Sequence, residues 1–216
     1  MGRELALFTG TFATLLAIIN PLEVLPVYAG LLAGKDPATH RKVARNACLY
    51  ALALSFFFFI FGTLTLRLFD VPLSTVRVAG GLILVRIGFS LFMPKEDAAA
   101  APKTADTGAN IAFVPLAMPL MFGPGAIATI IGMSSTIRSL SIGIPSIVAI
   151  SAAIVATMFV TYLCLANAER LAARIGPLGI DAATRIVGFF VSAIGVDLIF
   201  DGVFEAIAAH GLTSLH

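Results

Sequence analysis

The chain has 216 residues, 59% of them hydrophobic and 12% charged, with a net charge of +2. Ordinary globular chains are about 45–50% apolar and about 25% charged, so twelve acids and fourteen bases cannot cover a water-soluble monomer. The same composition excludes a disordered chain and, with no basic patch to hold a phosphate backbone, a nucleic-acid binder.

A helix crossing a bilayer core of about 30 Å needs about 20 mostly apolar residues. Six segments qualify: 5–33, 46–66, 72–93, 111–137, 142–166 and 183–208. None alternates apolar and polar residues at period two, which argues against a membrane barrel. An open strand cannot satisfy its backbone in lipid. The expected fold class is therefore all-α integral membrane, with six transmembrane helices.

The first segment is read as a span and not a cleaved leader. Glu4 beside Arg3 weakens a basic head, and no small-residue cleavage site follows. This span is long and interrupted at Asn20-Pro21 and Pro26. Asn is a strong N-cap residue and Pro suits the first helical position. Glu23 stands where a capping-box carboxylate would reach back to the Asn20 N–H. The second span carries the run Phe56–Phe59, expected to face lipid. The third has Arg77 near its start, Arg86 well inside, and Gly80, Gly81 and Gly88. A polar, Ala-rich stretch over 94–110 is expected to be a cytoplasmic linker.

The fourth span is again long and is broken by Pro115, Pro119 and Gly123-Pro124-Gly125. Gly123-Pro124 offers a second helix start inside the apolar run. The fifth span has no charged residue. The sixth repeats the third: Arg185 near its start, then Gly188 and Gly195, with Asp197 deep inside and Asp201 nearer the end. Residues 1–93 and 111–216 thus read as two three-helix repeats. Three spans is an odd number, so the second repeat runs opposite to the first, the plan common in secondary transporters. Lysine and arginine concentrate on one side (Lys35, Arg41, Lys42, Arg45, Lys95, Lys103, Arg170, Arg174, Arg185), which places both termini on the non-cytoplasmic side.

Interrupted helices expose N–H donors and partial positive charge at their starts. In a bilayer such backbone survives only inside protein or beside a wet cavity. Asn20, Pro21, Glu23, Gly123, Pro124 and Gly125 are therefore the candidate binding residues, for the carboxylate of a small zwitterion. Charges inside a membrane are costly and are functional candidates by default. Glu23, Arg77, Arg86, Arg185 and Asp197 are the candidates for coupling or gating. Arg86 either pairs with Asp197 or extends toward the cytoplasmic face, and Arg77 and Arg185 either anchor at the interface or lock a gate. The seven-residue recurrence of Gly81 and Gly88, and of Gly188 and Gly195, predicts close helix packing, within the chain or between protomers. Thr9, Thr11, Thr14, Thr129, Ser134 and Ser135 flank the interruptions and are free either to bond a substrate or to return bonds to backbone carbonyls.

Cys48 and Cys164 lie in apolar runs and form no CxxC or Cys/His cluster, so no metal or other cofactor is expected. No HExxH, GxSxG or Walker sequence occurs, and the three histidines fall in expected loops or at the end, which leaves an intramembrane enzyme without a constellation. A channel or a non-transporting scaffold is the alternative to a carrier, and saturable exchange separates them.

The stretch Ile111-Ala112-Phe113-Val114-Pro115-Leu116-Ala117-Met118-Pro119 with Gly123-Pro124-Gly125-Ala126 resembles the MarC family of bacterial inner-membrane proteins. So do Asn20-Pro21-Leu22, Arg77-Val78-Ala79-Gly80-Gly81 and Thr184-Arg185-Ile186-Val187-Gly188. The resemblance covers nearly the whole chain. It implies a multi-pass inner-membrane protein akin to the SnatA-type transporters of small neutral amino acids such as alanine and glycine, and related to LysE-type exporters. Glu23 and Arg86 depart from the family pattern, which has small or hydroxyl residues at the first position and an uncharged one at the second. The expected partners are the lipid bilayer, a small amino acid or related carboxylate, a coupling proton or sodium ion, and further copies of the chain.

Overall fold

Asn20 divides the first apolar run. It adopts a left-handed conformation, φ 40 and ψ 73, which Asn tolerates better than most residues. The computed structural model describes residues 2–93, 111–139 and 143–209. The first half holds α1 (Gly2–Ile19), α2 (Pro21–Leu31), α3 (Pro37–Leu68) and α4 (Leu73–Phe92). The second holds a wide-turn segment α5 (Ala112–Met121), then α6 (Pro124–Ser139), α7 (Ile144–Ala166) and α8 (Ala168–Ala209). No strand occurs among the described residues. Five helical stretches are long and apolar enough to cross a membrane, counting 2–31 as one, and α5 with α6, bent by 63°, makes a sixth. The expected linker 94–110 lies outside the described residues.

Two helices run well past the apolar stretch that announced them. α3 begins at Pro37, not near 46, and α8 at Ala168, not near 183. The added turns carry exposed Arg41, Lys42 and Arg45, and exposed Arg170 and Arg174. Hydropathy marks only the part of a helix that sits in lipid, and a helix continues into water wherever its cap allows. For α3 that cap is Asp36, whose carboxylate accepts from the Thr39 N–H at 3.0 Å and the Thr39 hydroxyl at 2.6 Å. These bonds hold the Asp36 carboxyl below the usual carboxylate range. In α8 the extra turns are set off by Gly176, at φ 71, a conformation glycine adopts freely.

His40 therefore lies in the first turns of α3 and not in a loop. The hydroxyl of Tyr28, a fully buried side chain, donates to the His40 carbonyl at 2.6 Å, and His40 Nε2 lies 3.0 Å from the Leu32 carbonyl. These contacts fasten the end of α2 to the start of α3. Tyr28→Phe should cost about 0.5–1.5 kcal/mol, read as a lowered unfolding temperature of the purified protein. An unchanged temperature would mean that the bond contributes nothing.

The apolar core joins α1, α2, α3, α5, α6 and α7 through residues such as Leu15, Leu25, Ala47, Phe122 and Ile154. The phenylalanine run is not uniformly lipid-facing. Phe57 is exposed, Phe59 is buried, and Phe58 stacks on Phe122 at 5.9 Å. A helix turns by 100° per residue, so four consecutive side chains cannot share one face.

α4 and α8 form the most extensive helix pair, antiparallel along a glycine seam. A Cβ on Gly81 would lie 2.5 Å from the Gly195 carbonyl oxygen, and one on Gly195 would lie 2.7 Å from that of Gly81. Gly88 and Gly188 repeat the arrangement at 2.5 and 2.8 Å. The seven-residue spacing thus serves packing within the chain. Elsewhere α1 packs on α7, α3 on α7, α6 and α5, α4 on α6, and α2 on α7 and α8.

Candidate functional site

The α1–α2 junction is capped by backbone and not by side chains. The Asn20 N–H bonds to the Leu16 carbonyl at 3.0 Å, closing α1. The Asn20 carbonyl accepts from the Glu23 and Val24 N–H groups at 3.0 and 3.4 Å, opening α2. The expected capping box is therefore absent: the Asn20 side chain makes no cap bond, and the N–H that Glu23 was to reach is already used. Left-handed geometry at Asn20 lets one residue end one helix and begin the next. It leaves the Asn20 carboxamide, 2% exposed, with a buried Nδ2 that has no hydrogen-bond partner. A buried donor without a partner costs about 1–3 kcal/mol.

In the second half the Gly123 carbonyl accepts from the Ile127 N–H at 3.1 Å, so α6 starts there. Gly123 is half-buried and Pro124 exposed, while Gly125 is buried where a Cβ would meet the Leu84 side chain at 2.3 Å. Gly125 thus serves the approach of α6 to α4. α5, immediately before, contains extended residues at Val114 and Met118 and cis bonds before Pro115 and Pro119.

Two cavities flank the glycine seam. The first, about 570 Å³, lies where α2, the end of α4 and the start of α8 meet. Glu23, Glu169, Asp181 and Arg185 line it, together with apolar residues such as Leu25 and Leu91. Arg185 Nε bonds to Asp181 at 2.9 Å, and its Nη1 lies 3.5 Å from the Phe92 carbonyl at the end of α4, where a cation complements the helix dipole. The second cavity, about 390 Å³, lies among α1, α4, α6, α7 and α8 and is lined by Arg77, Thr129, Asp197 and Asp201 among others. Arg77 Nη1 bonds to Glu205 at 3.0 Å. Asp181 and Asp197 are separated by about 24 Å of helix, at 1.5 Å per residue, so the cavities open toward opposite ends of the seam.

The structure thus brings Glu23 together with Arg185, and Arg77 together with Asp197. Asn20, Pro21, Gly123, Pro124 and Gly125 line neither cavity. Arg86 is exposed and lines neither cavity, and among the described residues no ion pair joins it to Asp197. The seam explains this. Gly81 faces Gly195 and Gly88 faces Gly188, so Asp197 sits level with the stretch around Ala79 and Gly80, about two helical turns away from Arg86. Of the flanking hydroxyls, Thr9 bonds back to Leu5 and Ser134 bonds across to the Phe59 carbonyl at 2.7 Å, while Thr129 Oγ1 is buried without a partner. Sequence reasoning missed Glu169, Asp181 and Glu205. The i, i+4 spacing of Asp181 and Arg185 was a readable signal, whereas Glu205 meets Arg77 only through the register of two distant helices.

A model of MarC family integral membrane proteins matches residues 5–207. The chain is 32% identical over 206 residues to the inner membrane protein MarC of Salmonella typhimurium, covering 91% of this chain and 93% of that protein. It is likewise 32% identical over 207 residues to the protein of the same name from Citrobacter koseri, with the same coverage. Its identity to the one from Escherichia coli O139:H28 is 31% over 206 residues. No solved structure matches it.

Proposed function

The chain belongs to the MarC family of integral membrane proteins, and on that premise we propose that it is an inner-membrane secondary transporter exporting small neutral amino acids by alternating access. The observation that carries the reading is the buried, unpartnered Nδ2 of Asn20 where α2 begins. A free amide donor at a helix start suits a substrate carboxylate inside the membrane. The start of α6 at Gly123-Pro124 supplies the matching element from the other half.

Two inverted repeats place these starts near the middle of the bilayer. The packing supports this, because its relations come in corresponding pairs: α2 on α8 and α6 on α4, α1 on α7 and α5 on α3. The Gly81–Gly195 contact likewise has its counterpart in Gly188–Gly88. The cavities at opposite ends of the seam serve as the two vestibules, and Arg77 and Arg185 with their acids act as gate contacts. A proton or sodium gradient drives the cycle, with Glu23 and Asp197 as the carboxylates placed to sense it. The basic side, at the start of α3, faces the cytoplasm.

Counterflow tests the reading. Proteoliposomes loaded with unlabelled alanine should take up radiolabelled alanine saturably. Asn20→Gly keeps the left-handed backbone and removes the amide; Asn20→Asp keeps the shape and puts a carboxylate against the substrate's own. Each should lower the rate at least about 10-fold, the loss of one buried charge-assisted bond. Folded, reconstituted protein that gives no uptake over empty liposomes, or equal uptake in both variants, would overturn it.

A further inference from the structure

Thr129 is 5% exposed, its Oγ1 has no hydrogen-bond partner, and it lines the cavity of about 390 Å³ among α1, α4, α6, α7 and α8. The cavity's charge is unbalanced. Arg77 is matched by Glu205 at 3.0 Å. Asp197 and Asp201, one helical turn apart on the same wall, have no ion-pair partner among the described residues. Both carboxylates are exposed, so they are open to an approaching cation. Thr11 and Thr14 of α1 add hydroxyl oxygens across from them, and Leu7, Ile150 and Leu198 supply apolar wall. A bare ion would leave most of this volume unfilled.

We propose that this cavity is a binding site for the primary ammonium group of a small organic ligand. Asp197 and Asp201 supply the charge, and Thr11 and Thr14 supply further acceptors. Thr129 Oγ1–H donates to a carboxylate when the ligand carries one. The site therefore takes amines and zwitterions and rejects simple carboxylates. Within the transport reading, on which only the ligand's natural identity rests, it is the amino acid's station at the end of the seam remote from Glu23 and Arg185. Thr14 is about 9 Å along α1 from Asn20, one short step from the proposed central site.

The test is thermal unfolding of the detergent-purified chain, followed with a thiol-reactive dye that reports exposure of Cys48 and Cys164. The probes are alanine, ethylamine, propionate, and sodium chloride against choline chloride at equal ionic strength. At tenfold over Kd, alanine and ethylamine should each raise the unfolding temperature by about 3–6 °C, and propionate should not. The double variant Asp197→Asn, Asp201→Asn should lose both shifts. Thr129→Val, nearly isosteric, should diminish the alanine shift and keep that of ethylamine, which keeps the assignment testable if the double variant does not fold. Gly30→Ala, at a position outside the cavity with nothing within 4 Å of the added Cβ, should keep both shifts. The assignment is overturned if sodium alone matches ethylamine, if propionate stabilises and ethylamine does not, or if the shifts survive loss of both aspartates. Failed counterflow with the shifts intact removes transport and leaves the site. Successful counterflow with shifts indifferent to the aspartates does the reverse.

Discussion

Gly88→Leu should leave little folded protein after extraction, with an unfolding temperature lowered by about 8–16 °C. Overpacking a core by extra methylenes costs about 1–3 kcal/mol when side chains can shift. Here the first added atom, Cβ, would already lie 2.5 Å from the Gly188 carbonyl oxygen and 2.6 Å from the Ser192 nitrogen. No rotamer change moves a Cβ, so the helices must part. Parting at one point also loosens the Gly81–Gly195 contact about 10 Å away along α4. A loss of about 4 kcal/mol or more follows, the range reserved for mutations that break a core. Gly30→Ala is the matched control: nothing lies within 4 Å of its Cβ position, and alanine favours helix over glycine by about 1 kcal/mol. It should be neutral or stabilising. Similar unfolding temperatures for the two variants would remove the seam as the organising contact.

The two arginines near the starts of the third and sixth apolar segments should behave differently when each is changed to methionine. Arg77 is 14% exposed and its partner Glu205 40% exposed, whereas Arg185 and Asp181 are 37% and 60% exposed. Removing Arg77 strands a partly covered carboxylate against an apolar bundle. Breaking a fully buried pair costs about 3–5 kcal/mol, and the partial exposure of Glu205 reduces that to about 2 kcal/mol, or about 4–8 °C. Arg185→Met breaks an exposed i, i+4 pair and should cost under about 1 kcal/mol. The decisive comparison is the double variant Arg77→Met, Glu205→Gln. It should recover part of the Arg77→Met loss, because no charge is stranded. Additive losses would mean that the two residues do not interact.

The sequence carried these features unevenly. The glycines of the seam were legible because small residues at a fixed helical spacing have one use in a membrane, and their period survives without coordinates. The interruption at Asn20 was legible from Asn-Pro, but its geometry was not. A capping box and a left-handed junction use the same residues, and only the fate of the Asn20 N–H distinguishes them. The breadth of α3 and α8 was hidden because apolar length reports lipid contact and not helix length. The Gly176 break was hidden because one Gly-Pro pair in a polar stretch reads as an ordinary loop. The Arg77–Glu205 bond and the grouping of Thr129 with Asp197 depend on how distant helices align, which no local pattern encodes. Arg86 and Asp197, both conspicuous as charges in apolar runs, invited a pairing that the register of the seam forbids.

The seam also sets a timetable for biogenesis. Its two strips of small residues, around Gly88 and around Gly188, are roughly 100 residues apart in the chain, so at about 5–20 residues per second the ribosome needs about 5–20 s to make the second after the first. Throughout that interval the glycine face of α4 has no mate in its own chain, and a face cut for a close neighbour is the surface on which nascent copies would pair wrongly. α8 closes the molecule. Chains arrested before it is inserted are the ones that quality control in the membrane should clear fastest.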